Sequence, residues 1–442
     1  MPRTQQRLAI WMNGIQVGFW EKVRGEDRLQ YLPEWVADEQ GRPLSLSLPF
    51  TPGNQVWCGD IVRDYFDNLL PDSESIRRRL AMRYRAESLD PFDLLAELGR
   101  DCVGAIQLLS VDEEPTELFS VHSRTLSEAD IASTLRNTTA ALPGRQDDND
   151  DLRLSIAGAQ EKTALLWYRD RWCLPEGSTP TTHIFKLPLG LVGNMQADMG
   201  SSVENEWLCS LLLAHYEIPV ATTHIARFEE QKALVVERFD RKWASDRQWI
   251  VRLPQEDMCQ ALGVSPLRKY QSDGGPGITD IMAILSHSER AEEDKALFFK
   301  AQIIFWLLAA TDGHAKNFSI TVEPQGRYRL TPLYDVLSAW PVVGSGNHHI
   351  PWRKCKLAMA VRGSSNYYPL YRIQRRHWIS HGELTGLGRQ QVESMMDDII
   401  DRTAGIIERV SGLLPKEFPP ELAGSIFEGM RQQCRRLAAG QS

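Results

Sequence analysis

The 442-residue chain has no long apolar run: the longest, Ile303 to Ala310, is eight residues, against the roughly 20 that a membrane-spanning helix requires. The opening "MPRTQQRLAIWMNGIQVGFW" lacks the continuous apolar core of a secretory leader. Cysteine is sparse and unpaired in pattern. The seven residues, at 58, 102, 173, 209, 259, 355 and 434, never form a C-x-x-C pair, which is the usage of a reducing compartment and offers no zinc site. A cytoplasmic protein without membrane contact is expected. Positive charge is also in deficit, with 50 Lys and Arg against 58 Asp and Glu, a net charge of -8 and a pI near 5.8. Phosphate neutralisation needs the opposite balance, so the chain does not coat nucleic acid by itself and any such contact must be local. Internal repeats and low-complexity tracts are absent as well.

Apolar content is ample, at 42%, and the length suggests two or three domains. Asn13-Gly14 between two apolar-rich runs predicts a tight hairpin. "LSLSLPF" (Leu44 to Phe50) alternates like a half-buried strand, and the segment from Pro71 has helical spacing. "DPFDLLAELGRDCVGAIQLLS" reads as helix, turn and strand. Between Ala141 and Asp151 a Pro-, Gly- and Asp-rich stretch without periodicity marks a junction. Strands then follow in "LRLSIAGAQEKTALLWYRDRWCLP", "THIFKLP" and "ALVVERFDRKW", with a Ser-capped helix in "SSVENEWLCSLLLAHYEI". From Gln255 the pattern is mostly helical. These boundaries give spans of 1–140, 141–254 and 255–442: a β-rich start, a nucleotide-binding region and a catalytic region.

One polar knot stands out. "ATDGHAKNFSI" (Ala310 to Ile320) follows the apolar run directly, and after it come a strand, a Pro-Gln-Gly turn, a second strand and Asp335. That layout brings Asp312, Asn317 and Asp335 to one edge, where two carboxylates and an amide suit a hard, oxygen-ligated ion such as Mg²⁺, with one Asp left to take a proton from a hydroxyl. The Asp-x-x-x-x-Asn spacing equals that of the protein-kinase catalytic loop, and Asp335 stands where the metal-binding Asp is expected, although Val336 and Leu337 replace the rest of "DFG". Phosphoryl transfer also needs a cation and a backbone cradle for phosphates. Lys186 on "THIFKLP" is the candidate cation, with Glu206 on the next helix as its ion-pair partner. The turn "SIAGAQEK" (Ser155 to Lys162) offers backbone N–H groups at Ile156, Ala157, Gly158, Ala159 and Gln160, though with a single Gly. "VVERFD" takes the place of the strand and hinge that bond adenine. Singly, each feature is ordinary as an edge lysine, a turn or a helix cap; their order along the chain is that of a kinase.

The motifs "FDNLLPDS", "GRDCVGA", "SIAGAQEK", "PTTHIFKLP", "VERFDR", "LPQEDMCQ", "DGGPGI", "TDGHAKNFS" and "LTPLYD" together resemble the HipA family of serine/threonine kinase toxins over nearly the whole chain, close to its founding member. The resemblance implies an α+β, protein-kinase-like fold with a β-rich N-terminal part and an all-helical C-terminal part. It implies Asp312 as catalytic base, Asn317 and Asp335 as Mg²⁺ ligands and Lys186 as the phosphate-binding lysine of ATP. His314 and Gln255 would line the nucleotide, Glu237 and Phe239 would present hinge backbone to adenine, and Ser155 would be self-phosphorylated. Implied partners are a HipB-type antitoxin dimer, operator DNA reached through it, and glutamyl-tRNA synthetase as substrate, with growth arrest and persistence as outcome.

The stretch Pro351 to Trp378 carries seven Lys or Arg and no acidic residue. It reads either as a solvated face or as a phosphate-contacting patch using Arg372, Arg375 and Arg376. Three other functions are compatible with parts of the pattern. A small-molecule phosphotransferase shares the Asp-x-x-x-x-Asn loop, a silent co-repressor would need none of the catalytic residues, and a metal hydrolase on Asp312, His314 and Asp335 leaves Lys186 unexplained.

Overall fold

The computed structural model describes residues 6–139, 154–193 and 195–439, so the junction expected at 141–151 lies outside the described residues. Contacts cluster the chain into two units of interleaved segments. One takes the chain as far as Leu187, then Ala226–Leu267 and Ser319–Tyr328; the other takes Pro188–Ile225, Arg268–Phe318 and Arg329 onward. Among the described residues no helix is long and apolar enough to cross a membrane.

In the first unit the expected hairpin forms: the strands Gln6–Met12 and Ile15–Val23 are joined by Asn13 and Gly14, both at positive φ (46° and 85°), the pairing that matches strand twist. An antiparallel sheet follows in the order Trp57–Cys58, Glu26–Tyr31, Ile15–Val23, Gln6–Met12, Ile106–Ser110. Its buried face carries Val17, Trp20 and Leu29, and Trp20 stacks on Phe66 of the helix Asp60–Asp67 with ring centroids 3.9 Å apart. A second sheet has five strands in this unit, ordered Gln231–Glu237, His183–Lys186, Lys162–Tyr168, Arg171–Pro175, Ser123–Thr125. Ile131, Ala132 and Leu135 of the helix Glu128–Thr139 close its core against Leu165, Phe185 and Val235.

Leu44–Phe50 forms no strand, contrary to its alternating pattern. Side chains, not a neighbouring strand, satisfy its backbone: the Leu44 amide donates to the Tyr31 hydroxyl (2.9 Å), which donates to the Leu48 carbonyl (2.7 Å), and the Leu46 amide donates to Glu256 (2.9 Å). Alternation reports which residues face inward; it does not report what the backbone bonds to. Glu256 is itself fully buried, and burial pushes its carboxyl up to about 8. It is therefore neutral in the fold at pH 7 but ionised in the unfolded chain, and its contribution is complete below about pH 4.5 and lost as pH rises towards 8. Glu256→Gln should raise stability at pH 7 to 8 by roughly 1–3 kcal/mol, since each tenfold change in an ionisation equilibrium is worth about 1.4 kcal/mol. Chemical unfolding of both proteins between about pH 4.5 and 8.5 checks this; the gap should close at the acid end.

The second unit is largely helical. Its central helix, Ala291–Leu308, buries nearly every residue from Phe298 onward, the mark of a helix enclosed on all sides. Gln433 on the helix Pro420–Ala438 reaches the Trp306 carbonyl (3.2 Å), and the Trp306 indole reaches the Leu370 carbonyl (3.0 Å). This unit also contains a hairpin of Lys356–Arg362 and Asn366–Pro369, so the basic stretch is partly strand. "KLAMAVR" gives no alternation because its middle five residues are all buried.

Candidate active site

The knot begins where the central helix stops. Ala309 adopts the left-handed conformation (φ 49°), and the Ala310 amide returns to the Phe305 carbonyl at 2.8 Å, which turns the chain sharply. Gly313 is required next, because a Cβ there would lie 2.7 Å from the Phe305 ring. The turn then closes on itself: the His314 amide donates to the Asp312 carbonyl (2.8 Å) and the Asn317 amide to the His314 carbonyl (2.9 Å). Asn317, buried, directs its Nδ2 to two backbone carbonyls, those of Asp312 (3.1 Å) and Asp335 (3.3 Å). One amide thus ties the three predicted residues together.

Asp335 sits at φ 60°, a left-handed position that Asp tolerates better than most residues. The chain just beyond it is pinned at Ser338. The Asn205 side chain donates to the Ser338 carbonyl (2.8 Å) and accepts from the Ser338 amide (2.8 Å), while the Ser338 hydroxyl donates to the Leu308 carbonyl (2.6 Å). Asn205 comes from the helix Ser202–His215, which also buries Glu206; Ser201 caps that helix by position without a side-chain bond. The Asp312 side chain is 64% exposed, with His314 Nε2 4.0 Å from its Oδ2. Its Oδ1 accepts from the Tyr270 hydroxyl at 2.5 Å. Sequence reasoning passed over Tyr270 entirely.

In the first unit, Lys186 is buried and ends the strand His183–Lys186, opposite Leu234 and Lys162. Glu237 pairs with His183 at the other end, three residues or about 10 Å away. The Arg238 amide bonds the Thr182 carbonyl (2.9 Å), so the peptide group of Glu237 faces the opposite side; Phe239 lies beyond the strand, in a turn. The turn Ile156–Gln160 reaches back to this strand through Gln160 Nε2, which donates to the Leu187 carbonyl at 2.5 Å. Gly158 has φ 113°, and its carbonyl accepts from the Asp72 amide (3.0 Å). Arg79 forms an ion pair with Glu161. Ser155 is fully buried and its hydroxyl donates to the Leu69 carbonyl at 2.8 Å. "FDNLLPDS" is therefore the dock on which the turn rests. Gln255 stands apart on a small sheet, paired with Thr321.

Two further motifs prove structural. Asp101 and Cys102 of "GRDCVGA" are locked to Arg238, Asp240 and Arg241 of "VERFDR". Arg241 meets Asp101 (2.8 Å), Arg238 meets Asp240 (2.8 Å), and both guanidinium groups donate to the Cys102 carbonyl (2.8 Å each). Burial alone would raise the Asp101 carboxyl; Arg241, Arg238 and Arg252 overcome it and hold it below the carboxylate range. This network fixes the exit of the strand Gln231–Glu237.

Of the three basic residues, Arg372 and Arg376 are exposed. Arg375 is buried and bound to Asp397 at 2.7 Å. Successive helical residues point about 100° apart, so Arg375 and Arg376 cannot share a face.

Comparison with known proteins adds four findings. A family model described as the HipA-like C-terminal domain matches residues 154–407, and one described as the HipA N-terminal domain matches residues 8–109. The protein named "Putative kinase Y4mE" of Sinorhizobium fredii is 34% identical over 415 residues, covering 92% of each chain. "Serine/threonine-protein kinase toxin HipA" of Shewanella oneidensis is 27% identical over 326 residues, 70% of this chain and 69% of that one. The solved complex of Shewanella oneidensis HipA with HipB and operator DNA matches in fold, with TM-score 0.80 at 22% identity over 98% of this chain and 97% of that one.

Proposed function

The chain belongs to the HipA family, and from that premise we propose that it is an ATP-dependent serine/threonine kinase acting as the toxin of a toxin–antitoxin pair. The observation that carries this reading is the Asn317 amide joining Asp312 to Asp335 beside an exposed carboxylate. Asp312 accepts the proton of the acceptor hydroxyl as that oxygen attacks the γ-phosphorus. Asn317 Oδ1 and the Asp335 carboxylate are two hard oxygens, the donor set suited to Mg²⁺ held jointly with nucleotide phosphates. When bound, Mg²⁺ held by Asn317 and Asp335 would supply the charge that offsets the nucleotide phosphates. Lys186 pairs with the phosphates, the N–H groups of Ile156 to Gln160 cradle them, His314 and Gln255 line the nucleotide, and the Glu237 and Phe239 backbone meets adenine.

Ser155 is the site of self-modification in this reading, and glutamyl-tRNA synthetase the protein acceptor, with growth arrest and persistence following. Transfer to Ser155 requires its bond to Leu69 to be given up. A phosphoryl group brings about -1.5 to -2 charges and strong acceptor oxygens, so it repels the Leu69 carbonyl that the hydroxyl served, and this contact of the turn with its dock is lost. Incubation with ATP, Mg²⁺ and glutamyl-tRNA synthetase, followed by mass spectrometry, tests both assignments. Phosphate on the synthetase and on Ser155 supports them; an unmodified synthetase rules out that acceptor.

A HipB-type antitoxin dimer neutralises the kinase and delivers it to operator DNA, where Arg372 and Arg376 contact backbone phosphates. Replacing both by Ala should leave phosphoryl transfer unchanged and lower the salt slope of operator binding by the antitoxin complex by about two, at roughly one per lost contact. Electrophoretic mobility shifts over a salt series check it. An unchanged slope returns the stretch to a solvated face.

A further inference from the structure

We infer that Tyr270 is a positioning residue for Asp312: its phenol fixes Oδ1 so that Oδ2 is the oxygen presented to the acceptor hydroxyl. The inference rests on the kinase reading above. Among the described residues Tyr270 is the group that hydrogen-bonds this carboxylate, at 2.5 Å. A largely exposed aspartate without such a bond samples several rotamers, and each places its basic oxygen differently.

The phenol is built into place. Its ring stands edge-on to the His314 imidazole, with centroids 5.0 Å apart and planes at 90°. The Lys269 carbonyl accepts from the Ala315 amide (3.3 Å), so the turn bearing Tyr270 is bonded to the knot itself. The Tyr270 carbonyl accepts from the amides of Asp273 and Gly275 (3.0 Å each). Gln271 Oε1 accepts from the Ala360 amide at 2.7 Å, tying the turn to the hairpin strand Lys356–Arg362. Gly275 is the residue that permits this closure, since a Cβ there would lie 1.8 Å from the Arg268 carbonyl oxygen. "DGGPGI" is thus the anchor of the tyrosine that precedes it by three residues.

In the transfer step the acceptor oxygen forms a bond to the γ-phosphorus, the bond from that phosphorus to the β–γ bridging oxygen breaks, and its electron pair leaves with ADP. The acceptor proton passes to Asp312 Oδ2. Tyr270 keeps its own proton throughout, and its effect is on where Asp312 stands.

Tyr270→Phe keeps the ring against His314 and removes the hydroxyl. With ATP and Mg²⁺, and with glutamyl-tRNA synthetase and Ser155 self-modification as two separate acceptors, kcat should fall about 10- to 100-fold, the range for one hydrogen bond to a charged group. The Kd for ATP and the KM for both substrates should hold within about twofold. An undiminished kcat would overturn the inference. A raised kcat or lowered acceptor KM would overturn it too, because the phenol would then be a placeholder that the substrate displaces. Parallel loss of ATP affinity would reduce Tyr270 to a structural role. Wild-type protein that transfers to neither acceptor, nor to any protein of a bacterial lysate, would remove the kinase reading and this inference together; the other outcomes remove the inference alone.

Discussion

Asp312→Asn should lower kcat about 100- to 10,000-fold, the contribution typical of a general base, while ATP-Mg²⁺ binding stays within about twofold. The separation follows from which atoms do what. The Asn317 side chain and the His314 backbone amide both donate to the backbone carbonyl of Asp312, so these bonds of the knot survive when the carboxylate becomes an amide. Tyr270 still finds an oxygen to donate to. The lost function is proton acceptance, because an amide NH2 stands where Oδ2 was. Calorimetric titration of nucleotide beside single-turnover transfer measures both quantities. Transfer within about threefold of wild type would mean that Asp312 is not the base.

Asp335 should behave in the opposite way. Asp335→Asn removes the charge but suits the left-handed backbone nearly as well as Asp; Asp335→Ala removes the ligand and also strains a position at φ 60°, at about 1 kcal/mol or more. Both variants should weaken Mg²⁺-dependent ATP binding by at least about tenfold, and Ala alone should lower the melting temperature. Titrations with and without Mg²⁺ separate metal loss from general damage. Full Mg²⁺-ATP affinity in the Asn variant would mean that the carboxylate is not a metal ligand.

Local chemistry was the legible part of the sequence. Asn13-Gly14 needs only its own backbone preference to make a hairpin. The cluster of Asp312, Asn317 and Asp335 follows from a helix end and one short hairpin, so spacing alone brings the three together. Tyr270 lies 42 residues from Asp312, and no periodicity connects them. Ser155 reads as a turn residue because nothing nearby reveals that the Leu69 carbonyl accepts its hydroxyl. Leu44–Phe50 misled for a related reason: its alternation is real, yet Tyr31 and Glu256 satisfy the backbone that a strand would have paired. Arg375 and Arg376 look equivalent in sequence, and packing distinguishes them, with Arg375 buried against Asp397 and Arg376 exposed.

The kinase reading is tested most directly by following the label of γ-labelled ATP in a single turnover with Mg²⁺, wild-type protein and a bacterial lysate. Label should accumulate as phosphoserine or phosphothreonine in protein, and should fail to do so when Asp312→Asn is used. Label recovered only as inorganic phosphate or in a small metabolite would contradict the assignment of this site as a protein kinase.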